Sequence, residues 1–184
     1  MRDNKTIKEI KISHDDVIAV IAPHPDDECL GASFVLLTAP ERTDVYVLTD
    51  GSHGNKEKTV EEEARIRKEQ FDEEMSYVKP RNVYWLGYED TTLPKHHEAA
   101  DSIDFTQYTK VFLPWNESAH PDHRVASVIC CRTIMKQKAY PECYFYEISF
   151  SFYMPTHYAD ISHLIDEKRE RHGSYTYPTA WHGL

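Results

Sequence analysis

Five short apolar runs punctuate the chain, separated by longer stretches with a helical period. "VIAVIA" (17–22) is a continuous β-branched run of the buried-strand type. "DVYVLTDG" (44–51) reads as a second strand that ends in a turn at Gly51, "NVYWLG" (82–87) as a third and "KVFLP" (110–114) as a fourth. "ECYFYEIS" (142–149) reads as a further strand, with Tyr144, Tyr146 and Ile148 on one face and Phe145, Glu147 and Ser149 on the other. Between these runs, "ECLGASFVLLTA" (28–39) has the length of a helix. Residues 58–78 place Val60, Ala64, Phe71, Met75 and Val78 at near-helical spacing among charged positions, which predicts an amphipathic surface helix stopped by Pro80. Residues 123–138 and 158–172 predict two more helices.

Strand–helix alternation of this kind implies βαβ units. The expected fold is α/β: a single Rossmann-like three-layer domain over residues 1–184, with a mostly parallel sheet and helices on both faces. No internal repeat, low-complexity tract or Gly/Ser linker divides the chain. In open parallel sheets, ligands bind beyond the carboxyl ends of the strands. That rule puts "PHPDDE" (23–28), "TDGSHGN" (49–55) and "PWNESAHPDH" (114–123) on one rim.

These stretches carry the candidate chemistry. Asp26, Asp27 and Glu28 are three adjacent acids directly after a buried strand, and desolvating them is costly unless a cation or hydrogen-bond donors offset the charge. A hydrolytic zinc site takes three protein ligands from histidine and carboxylate and keeps a position open for water. His24, Asp27 and His123 can supply that set: Asp27 follows His24 by one helical turn, and His123 arrives from the other loop. Asp26, beside a ligand but not needed as one, can take a proton from water and pass it to a leaving amine. His120, one turn before His123, can stay protonated near the acids and polarise an oxyanion. The plainer readings are an N-cap for Asp26 and a solvated helix start for "HPDH". Glu28 is assigned to the helix start.

Composition narrows the partners. The 184 residues carry a formal charge of −10 and a pI near 5.5, which argues against nucleic acid and anionic membranes as non-specific partners. No run reaches membrane-spanning length, and the N-terminus lacks the apolar core of a signal peptide. The four cysteines form no C-x-x-C pair and fit a reduced setting, so the expected location is the cytoplasm.

"APHPDDECLGA" followed by "HPDH" resembles the LmbE-like (PIG-L) family of zinc-dependent N-acetylglucosaminyl de-N-acetylases. "RKEQF" (67–71), "VYWLGYED" (83–90) and residues 146–170 resemble further elements of that family. The resemblance implies hydrolytic removal of an N-acetyl group from an N-acetylglucosamine-type sugar or glycoconjugate. It implies His24, Asp27 and His123 as metal ligands, Asp26 as general base and acid, and His120 as the oxyanion-stabilising histidine. Zn2+ is the implied ion, and Fe2+ suits the same donors. Arg67 and Asp90 fall near the family's sugar-contacting positions; for Arg67 the competing reading is a solvated helix face. The chain departs from the family at "TDGSHGN", where relatives carry a glycine–glutamate pair, and at its short tail, "TYPTAWHGL". Asp50, Ser52 and His53 there read best as a Gly-rich turn. The alternative function is a metal- or sugar-binding module that has lost catalysis; Asp26 and His120, which binding alone does not require, weigh against it. The aromatic residues at 142–155 read as a core or edge strand, or as a contact between copies in a homo-oligomer.

Overall fold

The apolar runs assemble as one parallel sheet in the computed structural model, which describes residues 7–148 and 151–171. Five strands, β2 (Ile18–Ala22), β3 (Thr43–Thr49), β4 (Asn82–Tyr88), β5 (Lys110–Pro114) and β6 (Glu142–Tyr146), lie in the order β4-β3-β2-β5-β6. Every neighbouring pair in this sheet is parallel. Outside it, β1 (Lys8–Glu9) pairs with β7 (His157–Tyr158). The expected strands all form: the three central ones, β2, β3 and β5, are apolar runs buried on both faces, and β4 and β6 flank them as edges.

Helices cover both faces, as expected. Alternate residues of β2 divide between them. Ala19 and Ile21 pack with Leu48, Val111 and Leu113 against Ala126, Ile129 and Ile134 of α4 (Pro121–Gln137). Ile18 and Val20 face Ala32, Val35, Phe112 and Tyr146 on the other side. There, Phe71, Met75 and Val78 of α3 (Val60–Val78) complete the layer over Val45 and Val47. Among the described residues, no helix is long and apolar enough to cross a membrane.

The order reverses between β2 and β5. The chain leaves β2 towards β3 on one side, and later fills the other side with β5 and β6. Loops following two such strands diverge and leave a crevice at their carboxyl ends, the usual ligand position in this topology. "HPDDE" follows β2 and "HPDH" follows β5, so both motifs border that crevice.

Three local expectations need correction. The helix expected over 28–39 is two: α1 (Asp27–Gly31) and α2 (Ser33–Thr38), parted at Ala32 (φ −122°, ψ 19°). A distant side chain packs closely at this junction. Tyr146 of β6 lies over Gly31, and a Cβ there would stand 2.0 Å from its Cδ2. The ring cannot retreat easily, since it is buried and its hydroxyl donates to the Ile21 carbonyl oxygen at 2.6 Å. Gly31→Ala is therefore expected to cost about 1–3 kcal/mol through overpacking, seen in thermal unfolding as a Tm loss of roughly 3–10 °C. An unchanged Tm would mean that the Tyr146 contact is loose.

The second correction concerns α3. A capping box fixes its start, with Thr59 accepting from Glu62 N–H and Glu62 reaching back to Thr59 N–H. Lys79, in the left-handed conformation (φ 54°), ends it one residue before Pro80. Its buried stripe, however, is Glu63, Arg67, Phe71, Glu74, Met75 and Val78, while Val60 is exposed. The N-terminal half of the stripe is thus polar and charged. The third is the last helix, α5 (Ile165–Arg171), which begins later than residue 158 because Tyr158 is in β7 and a 3-10 turn, Ser162–Leu164, intervenes.

The aromatic strand β6 forms the sheet edge and is packed mainly within the chain. Tyr144 stacks on Phe112 (5.3 Å, 17°), and Phe145 meets Trp115 edge-on at 5.6 Å. Ser149 and the tail "TYPTAWHGL" lie outside the described residues.

Candidate functional site

The turn after β2 is held against β3. Thr49 donates to the Pro23 carbonyl oxygen through both its N–H (2.9 Å) and its hydroxyl (2.7 Å). Three residues on, Asp26 adopts φ 125°, ψ −26°, a region that a residue with a Cβ rarely occupies and that costs about 1–3 kcal/mol. Surrounding bonds over-determine it. Its N–H donates to Glu28 Oε2 (3.1 Å), its carbonyl oxygen accepts from Cys29 (3.0 Å) and Leu30 (2.9 Å), and its Oδ2 accepts from Arg67 Nη1 (3.0 Å). Asp26 occupies the N-cap position of α1, but its carboxylate makes no capping bond. The N-cap reading fails because Arg67 takes the carboxylate instead. Glu28 serves the helix start as expected, through that bond to Asp26 N–H.

Three donor atoms converge above the crevice. His24 Nδ1 lies 3.2 Å from Asp27 Oδ2 and 3.2 Å from His123 Nε2, and the latter is 3.1 Å from the same Asp27 oxygen. A tetrahedral zinc ion with bonds of about 2.0–2.2 Å sets its ligand atoms roughly 3.3–3.6 Å apart, so this triangle fits one face of such an ion within a few tenths of an ångström. Asp27 and His123 are buried. Two overlapping trios, His24–His120–His123 and His24–Asp90–Asp122, also bring donor atoms within 4.8 Å of one another. His24 is common to all three.

The far sides of both imidazoles are tied down. His24 Nε2 donates to Asp122 Oδ2 (3.3 Å), and Asp90 Oδ1 stands 3.0 Å from the same nitrogen. His123 Nδ1 meets Ser118 Oγ at 3.2 Å. Such outer partners fix ring orientation and leave the opposite nitrogen free to ligate. Asp122 is itself held by the N–H of Thr91 (2.7 Å), a β-branched residue at φ 68°. Its other oxygen, Oδ1, is buried and has no hydrogen-bond partner among the described residues.

His120 is the N-cap of α4; its Nδ1 accepts from Asp122 N–H at 3.3 Å. Its ring meets His24 edge-on at 4.5 Å, and its Nε2 lies 4.0 Å from Asp90 Oδ1. The loop after β3 is an Asx turn: Asp50 Oδ1 accepts from Ser52 N–H (3.0 Å) and also from Asp90 N–H (2.9 Å). His53 N–H donates to Asp90 Oδ2 (3.1 Å). "TDGSHGN" therefore braces Asp90, in keeping with the turn expected there.

Charge in the crevice is uneven. Burial would lower the His24 pKa, but the carboxylates of Asp122, Asp27 and Asp90 outweigh it and hold the imidazole well above its ordinary value. Burial would raise Asp27, yet His123 and His24 hold it far below the usual carboxylate range. Asp90 is depressed likewise, burial being overcome by His24 and the His53 N–H. Asp26 is pushed up, first by burial and then by the charge of Asp27, against the pull of Arg67. Burial, then repulsion from His24, lowers His120. With Nδ1 accepting from the Asp122 N–H, Nε2 is the ring nitrogen left to donate towards the crevice. Asp27, Asp90 and Asp122 are all buried around His24, a surplus of negative charge that suits a divalent cation.

The structure thus brings together His24, Asp26, Asp27, His120 and His123. It moves two others. Arg67 is not on a solvated face; it is buried against Asp26 and Glu63. Asp90 stands behind His24 rather than open to the crevice. Asp122, Ser118 and Glu63 were not read from the sequence. Only Asp122, between the two histidines of "HPDH", carried a signal that could have found it.

The sequence profile of the family described as GlcNAc-PI de-N-acetylase, PIG-L, matches residues 19–134. Among solved structures, the chain is similar to the N,N'-diacetylchitobiose deacetylase of Pyrococcus horikoshii, with a TM-score of 0.76 and 22% identity over 92% of this chain and 74% of that one. It is similar to the conserved protein TT1542 of Thermus thermophilus, with a TM-score of 0.67 and 25% identity over 87% and 78%. It also resembles GalB, the 4-carboxy-2-hydroxymuconate hydratase of Pseudomonas putida, with a TM-score of 0.64 and 16% identity over 86% and 78%. No curated protein matches the sequence.

Proposed function

The chain belongs to the GlcNAc-PI de-N-acetylase (PIG-L) family, and from that premise we propose that it is a zinc-dependent hydrolase removing the acetyl group from an N-acetylglucosamine-type sugar or glycoconjugate, with residues 1–184 as one deacetylase domain. The observation that carries this reading is the triangle of His24, Asp27 and His123 with an acid, Asp26, beside it that is not part of the triangle. Those three residues would hold the ion, which supplies Lewis acidity at the amide carbonyl and makes water acidic near neutral pH. Fe2+ suits the same donors.

The remaining work falls to the protein. Asp26 takes a proton from the attacking water and delivers it to the amine nitrogen as the C–N bond breaks, giving acetate and a free amine. Its raised pKa suits both halves of that transfer. His120 Nε2–H donates to the carbonyl oxygen as negative charge builds there. Asp122 and Asp90 keep the His24 ring in place, and Ser118 does the same for His123. The free thiols Cys29, Cys130, Cys131 and Cys143 fit a reducing compartment, the cytoplasm.

The test is acetate release by zinc-loaded protein from N,N'-diacetylchitobiose and a panel of N-acetylglucosaminides. Stoichiometric acetate and amine are expected from at least one of them. The fold is shared with a hydratase, so water addition to an unsaturated acid without acetate release would replace this reading.

A further inference from the structure

Tyr146 closes the base of the crevice. On one side β2 stays paired with β3 through Ala22, but on the other its ladder with β5 ends at the pair Val20–Phe112. One residue past that end, the Ile21 carbonyl oxygen accepts from the Tyr146 hydroxyl at 2.6 Å, although Tyr146 stands on β6 with β5 between them. The same ring lies on Gly31 of α1, where a Cβ would meet its Cδ2, Cε2 and Cγ at 2.0, 2.6 and 2.8 Å. Its main-chain carbonyl oxygen accepts the N–H of Trp115, the first residue after β5, at 3.0 Å. The Trp115 carbonyl oxygen in turn accepts from the Ser118 N–H (3.3 Å), and Ser118 Oγ meets His123 Nδ1. One buried residue therefore bonds the end of the strand that leads to His24, packs on the helix that begins with Asp27, and fastens the loop that leads to His123.

We propose that Tyr146 is a positioning residue that holds the two metal-binding turns at their mutual spacing, acting through Ile21, Gly31 and Trp115. The proposal rests on the deacetylase reading for the identity of His24, Asp27 and His123 as ligands. Strands that diverge at a switch point lose the ladder that would fix their ends, so the distance between the two turns is set by whatever ties them together. A ring in a close-packed interior transmits displacement instead of absorbing it, and its buried hydroxyl is anchored by the Ile21 carbonyl. Tyr146 lies outside residues 19–134, the part of the chain that the family profile matches.

Zinc affinity, measured by chelator competition well below the unfolding range, decides the role without any turnover. Tyr146→Leu loses the hydroxyl and empties the space over Gly31; it is expected to weaken zinc binding by about 10-fold or more, the scale of lost outer support. Tyr146→Phe keeps the ring and loses the bond to Ile21, and a loss of about threefold is expected. Ile134→Ala controls for a merely weaker fold. Ile134 is a core residue on the same helix as His123, about 16 Å further along its axis. Its truncation should lower Tm at least as much as Tyr146→Leu and leave zinc affinity within about twofold. Unchanged affinity in both Tyr146 variants, or an equal loss in Ile134→Ala, would overturn the proposal; if Tyr146→Leu does not fold, Tyr146→Phe decides alone. A thermal-unfolding cycle on metal-free protein tests the contact itself. Gly31→Ala should lower Tm by at least about 3 °C more in the wild-type background than in Tyr146→Leu, and additive changes would remove α1 from the argument and overturn it. Acetate release by wild type with all zinc affinities equal would leave the deacetylase reading standing and the proposal fallen. Weakened zinc binding in the Tyr146 variants, with acetate released from no substrate, would do the reverse.

Discussion

Asp26→Asn is expected to reduce kcat by roughly 10²–10⁴-fold, the usual contribution of a positioned acid–base group, while one metal ion per chain stays bound. The substitution keeps the shape of the side chain and an oxygen for Arg67, but removes the ability to take and return a proton. Nothing in the triangle of His24, Asp27 and His123 depends on Asp26. Steady-state kinetics and metal analysis on the same preparation check both halves. Retention of more than about a tenth of wild-type kcat would remove Asp26 from the proton transfer. Loss of metal together with activity would place it among the ligands.

Asp27→Ala should act on the metal itself. Asp27 Oδ2 is the corner shared by two edges of the triangle and also accepts from the His24 N–H at 3.0 Å. Its removal leaves two imidazoles and no anionic ligand, so zinc content after dialysis should fall to a small fraction of one per chain and turnover should vanish with it. Asp122→Asn provides the graded comparison. Asp122 meets the triangle through the far nitrogen of His24, and outer partners of this kind are worth about 10- to 100-fold in metal affinity. Competition with a chelator of known affinity should therefore rank wild type, Asp122→Asn and Asp27→Ala in that order. Equal affinities for all three would show that the ion sits elsewhere.

The legible parts of this protein are those whose cause is local. An apolar run bounded by polar turns makes a strand, and those at 17–22, 44–51, 82–87 and 110–114 carry that cause within themselves, although the third is an exposed edge and only the other three are buried. The pairing of "HPDDE" with "HPDH" was legible because parallel strands send their carboxyl ends to one rim. Illegible features depend on residues far along the chain. Gly31 looks like a helix interior until Tyr146, more than a hundred positions later, is laid across it. Glu63 and Arg67 look like solvated charges until Asp26 supplies a buried partner. Asp90 was placed by resemblance alone, and its position behind His24 became evident only with the loop after β3 folded onto it.

The site's outer support is unequally protected. Asp122 rides on a seventeen-residue helix packed into the core, whereas Asp90 and Thr91 hang from the end of β4, an edge strand paired only with β3 and exposed along most of its length. Segments with few buried contacts open locally at far lower free energy than the core. Fraying of β4 would withdraw Asp90 from His24 and the Thr91 N–H from Asp122 at once, with the rest of the sheet intact. Through Asp90 and Thr91, the integrity of this edge strand and the orientation of the His24 ring are one property, so whatever loosens the end of β4 also loosens the imidazole.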